Sequence, residues 1–285
     1  MWGVHTVLIA TYNLHNLFLG SAGWQKPNNE VRPLARMIDQ VGADILAVQE
    51  VGSAQSLAGL NERLASPYAH VYFVAGNSNR SIHLGFLSKT PLVLTSHRQR
   101  LLLDPNNQQL YFYHDEAQML AEQLSPLVFF RDALQAEVEV APGVRMAFFG
   151  VHLKSKTNPA WQMHSANTLR LAECAALAQI INEYLDKYPN AYTCVLGDCN
   201  DSYASDALAP LRAVGLVDPL GCVLRAAGRN PSTYWPKRRT RIDHILVSHK
   251  LAEKVVPMSP QIHINHMART ASDHYPVSLD VAFEN

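Results

Sequence analysis

Several short apolar runs recur along the chain, rich in β-branched and aromatic residues and too short to form core helices. This pattern is typical of buried strands. The runs are Val7–Ala10, Ile45–Val48, Leu84–Leu87, Met146–Phe149, Cys194–Leu196, Ile245–Val247 and Val277–Val281. The sequence therefore predicts a strand at each of these positions.

Two longer stretches have the periodicity of amphipathic helices, Val31–Val41 and Thr168–Lys187. Pro189 ends the second helix. Its apolar side chains fall near one stripe, formed by Leu169, Ala172, Ala176, Ile180 and Leu185. Strands and helices interleave, but long strand-rich stretches have no helix between them. The pattern therefore predicts an α/β chain with mixed sheets rather than a strict βαβ barrel.

No linker, low-complexity tract or internal repeat divides the chain, so we expect one domain over residues 1–285. The segment His97–Gln123 is the hardest to interpret, because turn residues at 104–107 precede three aromatic residues at 111–113. It is either a strand and turn in an extended meander or a surface excursion beside the functional site.

Charge narrows the function classes only slightly. Lys and Arg total 24, as do Asp and Glu, so the net charge is zero. No global field therefore favours nucleic acid or an anionic membrane, and any such binding needs a local basic patch. No apolar stretch approaches the roughly 18 residues of a membrane span, and the N-terminus has no signal-peptide pattern. We expect a cytoplasmic monomer without a membrane span.

The four cysteines form no CxxC pair and match neither a disulfide framework nor a zinc site. They are Cys174, Cys194, Cys199 and Cys222. Cys194 and Cys199 cannot bridge each other while the chain between them is extended, because five residues span about 16 Å. Disulfide Cα atoms lie only about 4.4–6.8 Å apart. We expect free, mostly buried thiols in a reducing compartment.

Polar side chains that can bind metal or phosphate follow or begin most of the apolar runs. They are Asn13, Glu50, His152, Asp198, Asn200, Asp243, Asp273 and His274. A single Asp or Asn after a strand usually belongs to a turn. A carboxylate at a buried strand end is unfavourable unless it is paired or binds a metal, and six such places in one domain are difficult to attribute to turns. The pattern indicates one shared site.

The segments TYNLHNLF, DILAVQEV, GDCND, RIDHILV and SDHYPV, in this order, resemble the successive motifs of the endonuclease/exonuclease/phosphatase superfamily. That superfamily includes pancreatic-type deoxyribonucleases, apurinic endonucleases, inositol polyphosphate phosphatases and neutral sphingomyelinases. GNSNRSIHLGFLSK, FFRD and HLKSK are similar to a bacterial group whose substrates are mostly unassigned. The resemblance implies a deoxyribonuclease-I-like fold, a four-layer αββα sandwich of two mixed β-sheets with the site at one edge.

The same resemblance implies a metal site. Glu50 would be the principal ligand of a hard divalent cation, with Asn13 and Asp273 nearby. Oxygen donors of this kind suit Mg²⁺ or Mn²⁺. Many relatives carry a carboxylate where this chain has His15, and an imidazole cannot replace it for Mg²⁺. His15 is then either a rim residue or a substrate contact.

The resemblance also implies catalytic roles. Asp198 would orient or deprotonate the attacking water, and Asn200 would hold a phosphoryl oxygen. His274 would contact the phosphate, while Asp243 fixes its other ring nitrogen and favours the imidazolium. His152 would be the general acid or a phosphate ligand on the leaving-group side. Its carboxylate partner is not evident. His83 occupies a position where the similar bacterial group often has Asp.

Four cations are candidate phosphate ligands. Arg131 follows an apolar run, as does a phosphate-contacting arginine in relatives; the alternative is an ion pair, for example with Asp132. Lys154 faces either the site or solvent. Arg239 and Arg241 belong to the dense basic run KRRTR, which is either a solvated loop or a patch that steers phosphates.

Two aromatic residues, Tyr234 and Trp235, lie just before this basic run. They either stack on a base or sugar of the substrate or pack in the core.

The sequence thus predicts a divalent-metal-dependent phosphodiester hydrolase, a nuclease that cleaves DNA or RNA by in-line attack of water. The alternative is a phosphomonoesterase or a lipid- or inositol-headgroup phosphoesterase, because one fold serves several substrates. A binding module without activity is disfavoured, because the complete set of catalytic residue types is present. The sequence leaves open the substrate, endonucleolytic against exonucleolytic cleavage, and the use of one or two metal ions.

Overall fold

A computed structural model describes residues 4–20, 25–78, 80–100, 127–141, 143–157, 164–237 and 240–284. Within these ranges the strands are β1 Val4–Leu17, β2 Ile45–Val51, β3 His70–Val74, β4 His83–Ser88, β5 Val93–Ser96, β6 Ala133–Ala141, β7 Val144–His152, β8 Tyr192–Asp198, β9 Leu216–Val217, β10 Asp243–Ser248, β11 Gln261–Ile262 and β12 Val277–Glu284. The helices are α1 Asn28–Val41, α2 Ala54–Asn61, α3 Ala166–Lys187, α4 Ala209–Ala213, α5 Pro219–Ala226, α6 His249–Ala252 and α7 His266–Ala271, with a 3₁₀ turn at Asp206–Leu208.

The strands form two six-stranded mixed sheets of matching design. The first has the order β11-β12-β1-β2-β4-β3 and the second the order β5-β6-β7-β8-β10-β9. Each sheet contains one parallel pair, β1 with β2 and β7 with β8, and its other neighbours are antiparallel. Two strands of a parallel pair end at the same edge of their sheet. Each sheet thus presents two strand ends side by side.

The two sheets pack face to face, and helices cover their outer faces. Side chains from both sheets fill the central layer, including Ile9, Phe86, Phe148, Leu196, Ile245 and Leu279. The first sheet packs its outer face on α1, and the second packs on α3. Phe148 faces the other sheet while Phe149 faces α3, so strands buried on both faces read as continuous apolar runs. The predicted four-layer αββα sandwich is confirmed.

All seven predicted strands and both predicted helices are present. The sequence analysis did not predict β3, β5, β6, β9 or β11. In β6, the longest of these, Gln135, Glu137 and Glu139 alternate with apolar residues. Of the ambiguous segment, residues 97–100 form a turn, and 101–126 lie outside the described residues. All four cysteines are free, and only Cys222 is exposed. None of the helices in the described ranges combines the length and apolar character needed to cross a membrane.

Candidate active site

The carboxyl ends of the two parallel strand pairs meet at one edge of the sandwich. Asn13 lies in β1 just before its register shift, and Glu50 lies near the end of β2. From the other sheet, β7 ends on His152 and β8 ends on Asp198, and these two residues are paired in register. The Asn13 amide donates to Asp198 Oδ2 at 3.1 Å, across the two sheets. The predicted residues therefore converge, although Asn13 and Asp198 are 185 positions apart.

The backbone at this edge departs from regular strand geometry. His15, Asn16 and Glu50 have φ values of 50°, 55° and 61°, in the left-handed region that costs a non-glycine residue about 1–3 kcal/mol. The β1–β2 register shifts between Asn13 and Leu17, as at a β-bulge. Asn13 Oδ1 accepts the His15 N–H at 3.0 Å, and Glu50 Oε2 accepts the Asn16 N–H at 2.9 Å. The side chains of Asn13 and Glu50 therefore stabilise the irregular turn through hydrogen bonds to its backbone.

Asp198 is the point on which the other polar groups converge. Its Oδ2 lies 3.4 Å from His152 Nε2 and 3.8 Å from His274 Nε2, and its Oδ1 accepts the Asn200 N–H at 2.8 Å. Burial and the neighbouring carboxylates of Asp243 and Glu50 raise the pKa of Asp198 to about 7, although His274 opposes the shift. A carboxylate in these surroundings can accept a proton near neutral pH.

His274 forms the predicted pair with Asp243. Its Nδ1 lies 2.8 and 3.0 Å from the two carboxylate oxygens of Asp243. Burial would lower the pKa of His274, but Asp243, Asp198 and the Nδ1 hydrogen bond outweigh it and raise the pKa to about 10. His274 is therefore an imidazolium whose Nε2–H points toward Asp198.

His152 is neutral, by contrast. Burial, together with the positive charges of Arg131, His274 and Arg80, holds its pKa well below the usual value. Its Nδ1 is buried and has no hydrogen-bond partner in the described part of the chain. His83, at the position where relatives often have Asp, accepts the Gly76 N–H at 3.1 Å through Nδ1. A neutral His152 forms no ion pair with Asp198, and its Nε2 lies 3.4 Å from Asp198 Oδ2.

The oxygen donors beside this group fit a hard cation. Glu50 and Asp273 line one cavity of about 340 Å³, and within the described ranges neither forms an ion pair with lysine or arginine. Asp273 Oδ1 lies 3.9 Å from His15 Nδ1 and from His274 Nε2. Carboxylates that face one cavity and have no lysine or arginine partner in the described ranges, with an amide oxygen nearby, are the donors that Mg²⁺ and Mn²⁺ prefer. His15 remains a candidate for either of its two roles.

A second group also has ligand atoms close together. One ligand atom each from Asp198, Asp243 and His274 lies within 4.8 Å of the others. The Asp243 oxygens are engaged by the His274 ring, however, and the pKa of that ring is raised to about 10. A protonated imidazole has no free lone pair for a metal, so Glu50 and Asp273 fit a cation better.

The four predicted phosphate ligands have different surroundings. Arg131 lines the cavity, with Nη1 donating to the carbonyls of residues 152 and 153. Lys154 does not line it, because its Nζ donates to the carbonyls of residues 155 and 157. Arg241 is bound to Asp218, with Nη1 2.9 Å from Oδ1, and does not reach the cavity. Arg239 lies outside the described residues. Of these four residues, Arg131 therefore lines the cavity in the described ranges, whereas Lys154 and Arg241 do not.

Other polar residues complete the cavity wall. Lys156, Lys237 and Tyr234 line it, as does Arg80, which the sequence analysis did not single out. The signal for Arg80 was weak, since it lies in a loop among Ser and Asn residues. Asn200 also lines the cavity, but its Nδ2 donates to the carbonyl of residue 153 at 2.9 Å. Its amide group therefore supports the neighbouring loop.

Solved structures of known proteins share this fold along the entire chain. The human Nocturnin catalytic domain is 15% identical, with a TM-score of 0.61, covering 100% of this chain and 98% of the other. A family protein of Bacteroides thetaiotaomicron is 16% identical, with a TM-score of 0.60, covering 99% and 97%. Truncated TDP2 from Caenorhabditis elegans is 15% identical, with a TM-score of 0.58, covering 97% of each chain. No curated protein sequence matches significantly.

The sequence itself matches a family model. The model described as the Endonuclease/Exonuclease/phosphatase family matches residues 10–274, which include every candidate residue from Asn13 to His274. The matched span begins in β1 and ends just before β12, so it contains all the strand ends that build the cavity. The chain therefore belongs to the endonuclease/exonuclease/phosphatase family, whose members are metal-dependent phosphoesterases.

Proposed function

We propose that the protein is a divalent-metal-dependent phosphodiester hydrolase that cleaves nucleic acid by direct attack of water on phosphorus. The observation that carries this proposal is the position of Asp198 Oδ2. It lies among the side-chain nitrogens of Asn13, His152 and His274, in the cavity that Glu50 also lines. A base, hydrogen-bond donors and metal-binding oxygens are thereby close to one place where a phosphate can bind.

Each side chain then has a defined task. Asp198 orients the attacking water and takes its proton. The imidazolium of His274 and the neutral Nε2–H of His152 donate hydrogen bonds to non-bridging phosphoryl oxygens as negative charge develops there. Glu50 and Asp273, with Asn13, would hold the divalent cation, which would supply positive charge to stabilise the negative charge that develops during the reaction. Asp243 keeps His274 charged and fixed in orientation.

Local positive charge supports nucleic acid as the substrate. Arg80, Lys156 and Lys237 line the same cavity as the acidic centre, and the aromatic ring of Tyr234 lies 5.0 Å from that of His274. Cations that bind phosphates beside an aromatic ring that can stack on a base are typical of nucleic-acid sites. A volume of about 340 Å³ is near the lower end for small-ligand sites, so a small phosphoester is the second candidate substrate.

A substrate panel tests the proposal. Plasmid DNA, single-stranded DNA, RNA, bis-p-nitrophenyl phosphate and p-nitrophenyl phosphate are each assayed with Mg²⁺, Mn²⁺ or EDTA. We expect cleavage of a nucleic acid and of the diester with metal, and no activity in EDTA. Glu50→Gln should raise the metal concentration needed for half-maximal rate without lowering the melting temperature. Full activity in EDTA would refute the mechanism.

Salt dependence separates the two substrate classes. If three cations engage phosphates of duplex DNA, raising salt from about 50 to about 200 mM weakens binding about 40-fold. A small diester that contacts one cation shows only a few-fold change. Steep inhibition on plasmid DNA with mild inhibition on bis-p-nitrophenyl phosphate is the expected result. Hydrolysis of small phosphoesters without cleavage of any nucleic acid would favour the second candidate.

A further inference from the structure

One buried carboxylate outside the cavity is bonded to two segments that carry site residues. Glu173 lies on α3 and is 1% exposed. Its Oε1 accepts the Phe130 N–H at 3.0 Å, and its Oε2 accepts the Lys154 N–H at 2.6 Å. Phe130 directly precedes Arg131, and Lys154 lies two residues after His152. A single side chain therefore joins the segment before β6 to the segment after β7.

The same carboxylate balances the charge of Arg131. The Arg131 side chain is buried, and burial lowers its pKa, while the negative charge of Glu173 gives the largest opposing contribution. Arg131 Nη1 donates to the carbonyls of residues 152 and 153 at 3.0 and 3.2 Å, so its position depends on that segment. Glu173 thus acts on Arg131 in two ways. It binds the backbone N–H groups of Phe130 and Lys154 in the two segments that hold Arg131, and its negative charge opposes the effect of burial on the guanidinium.

One helical turn earlier, Arg170 reinforces this arrangement. Its Nη1 donates to the Lys154 carbonyl at 3.0 Å, and its Nη2 donates to Asp201 Oδ2 at 2.6 Å. Both backbone groups of Lys154 are therefore bound by side chains of α3. The next turns of the same buried face carry Leu177, Ile181 and Tyr184, which shows that apolar side chains pack well there.

A buried acid at this place has an energetic cost. Burial raises the pKa of Glu173 to about 7, although two backbone N–H groups, Arg131 and Arg170 oppose the shift. Buried charges are often no better for stability than well-packed apolar side chains. The contacts of Glu173 lead instead to the segments that hold Arg131 and His152. Resting on the proposed function, we propose that Glu173 is a positioning residue that fixes Arg131, a candidate phosphate ligand that lines the cavity, relative to Asp198.

Glu173→Gln tests this directly. Glutamine has nearly the same shape but only one acceptor oxygen, so it cannot accept from both N–H groups. We expect kcat on bis-p-nitrophenyl phosphate to fall about 10- to 100-fold, with KM changed less than about 3-fold, because the rate depends strongly on orientation. The matched control is Glu183→Gln on the same helix, where the exposed carboxylate pairs with Arg100. It should keep the wild-type kcat.

A double-mutant cycle distinguishes positioning from general loss of structure. If Glu173 acts through Arg131, Glu173→Gln should lower kcat less than about 2-fold in an Arg131→Gln background, because contacting residues are non-additive. Equal losses in the two backgrounds would overturn the proposal, as would wild-type kcat in Glu173→Gln. If Glu173→Gln does not fold, Glu173→Asp replaces it in the cycle, because the shorter side chain cannot reach both N–H groups.

Amide hydrogen exchange gives a readout that requires no substrate. In Glu173→Gln the N–H of Phe130 or Lys154 should exchange about 10-fold faster, while core amides such as that of Phe149 stay unchanged. Unchanged exchange at both positions would overturn the proposal even if the rate falls. If the wild-type protein hydrolyses none of the panel substrates, the proposed function fails, and the exchange measurement still decides whether Glu173 holds these segments.

Discussion

The two histidines beside Asp198 differ in charge although their positions are alike. The side chain of His152 is 3% exposed and that of His274 is 7% exposed, and the Nε2 atom of each lies within 4 Å of Asp198 Oδ2. His274 has Asp243 behind its ring, and its pKa is raised to about 10. His152 has Arg131 nearby and no partner for Nδ1 among the described residues, and its pKa is lowered.

The difference shows that burial alone does not determine the protonation of a histidine. Burial disfavours the imidazolium at both positions, and the charge behind the ring then decides the outcome. One side of the site therefore contributes a cation and the other a neutral hydrogen-bond donor. The phosphate of a substrate would be held asymmetrically, with the charged contact on the side of β10 and β12.

Removing the carboxylate between the two histidines should have the largest effect. Asp198→Asn keeps the shape of the side chain but cannot take a proton from water, so we expect kcat to fall about 10³-fold or more. Steady-state kinetics and a thermal melt provide the measurement. Asp206→Asn, an exposed acid nearby in the chain, should leave kcat unchanged. Near-normal turnover in Asp198→Asn would show that another group acts as the base.

The same substitution at both histidines tests the asymmetry. Glutamine can place an amide N–H near the position of Nε2 but carries no charge. His274→Gln should therefore lower kcat about 10²- to 10³-fold, whereas His152→Gln, which replaces one neutral donor by another, should lower it about 10-fold. Kinetics on bis-p-nitrophenyl phosphate at pH 7.5 compare the two. Equal losses would contradict the assignment of different charges.

Asp243→Asn should make His274 easier to deprotonate, so that its charge becomes more like that of the neutral His152. Without the carboxylate, the pKa of His274 falls from about 10, so the loss of kcat should be about 10- to 100-fold and grow as the pH rises. In the wild-type protein, the charged interaction of His274 with its carboxylate neighbours stabilises the folded state. This contribution is complete below about pH 6.5, the pKa of a histidine in the unfolded chain, and it is lost as the pH rises through the folded-state pKa of about 10. The Tm difference between the two proteins should narrow over that range.

Two measurements check this prediction. A histidine-ring NMR titration of metal-free protein should show the shift of His274 directly, and thermal melts from pH 6 to 10 should show the narrowing difference. Asp186→Asn, an exposed acid on α3, is the control and should give a constant difference. A His274 pKa that does not change in Asp243→Asn would mean that other groups hold its charge.

The smallest effect on rate is expected at Arg241. Its bond to Asp218 lies outside the cavity, so Arg241→Gln should leave kcat and KM unchanged. The unfolding free energy should fall by about 1–3 kcal/mol, because a buried carboxylate loses its charged partner. Chemical denaturation measures the change in unfolding free energy, and steady-state kinetics measure kcat and KM. A rise in KM without loss of stability would return Arg241 to the phosphate-binding set.

Arg241 and Glu173 illustrate what the linear pattern could not reveal. The basic run around Arg241 was compatible with a solvated loop or a phosphate patch, but Arg241 instead pairs with Asp218, which lies 23 positions earlier in the chain. Glu173 interrupts an otherwise apolar helical face together with Arg170, and this was the available signal of a buried polar network. Its partners Phe130 and Lys154 are 43 and 19 positions away, so its connection to the site was not readable.

The sequence by itself predicted seven of the twelve strands in the described ranges, the two main helices and the polar residues that converge at one edge of the sandwich. Burial on both faces produces continuous apolar runs, and polar residues at the ends of those runs stand out against them. Only the tertiary structure decided the sheet order, the ion pair of Arg241 with Asp218 and the charges of His152 and His274. These depend on groups that are distant in the chain, such as Asp243, which lies 31 positions from His274. Local periodicity contains no information about which distant charge lies behind a buried ring.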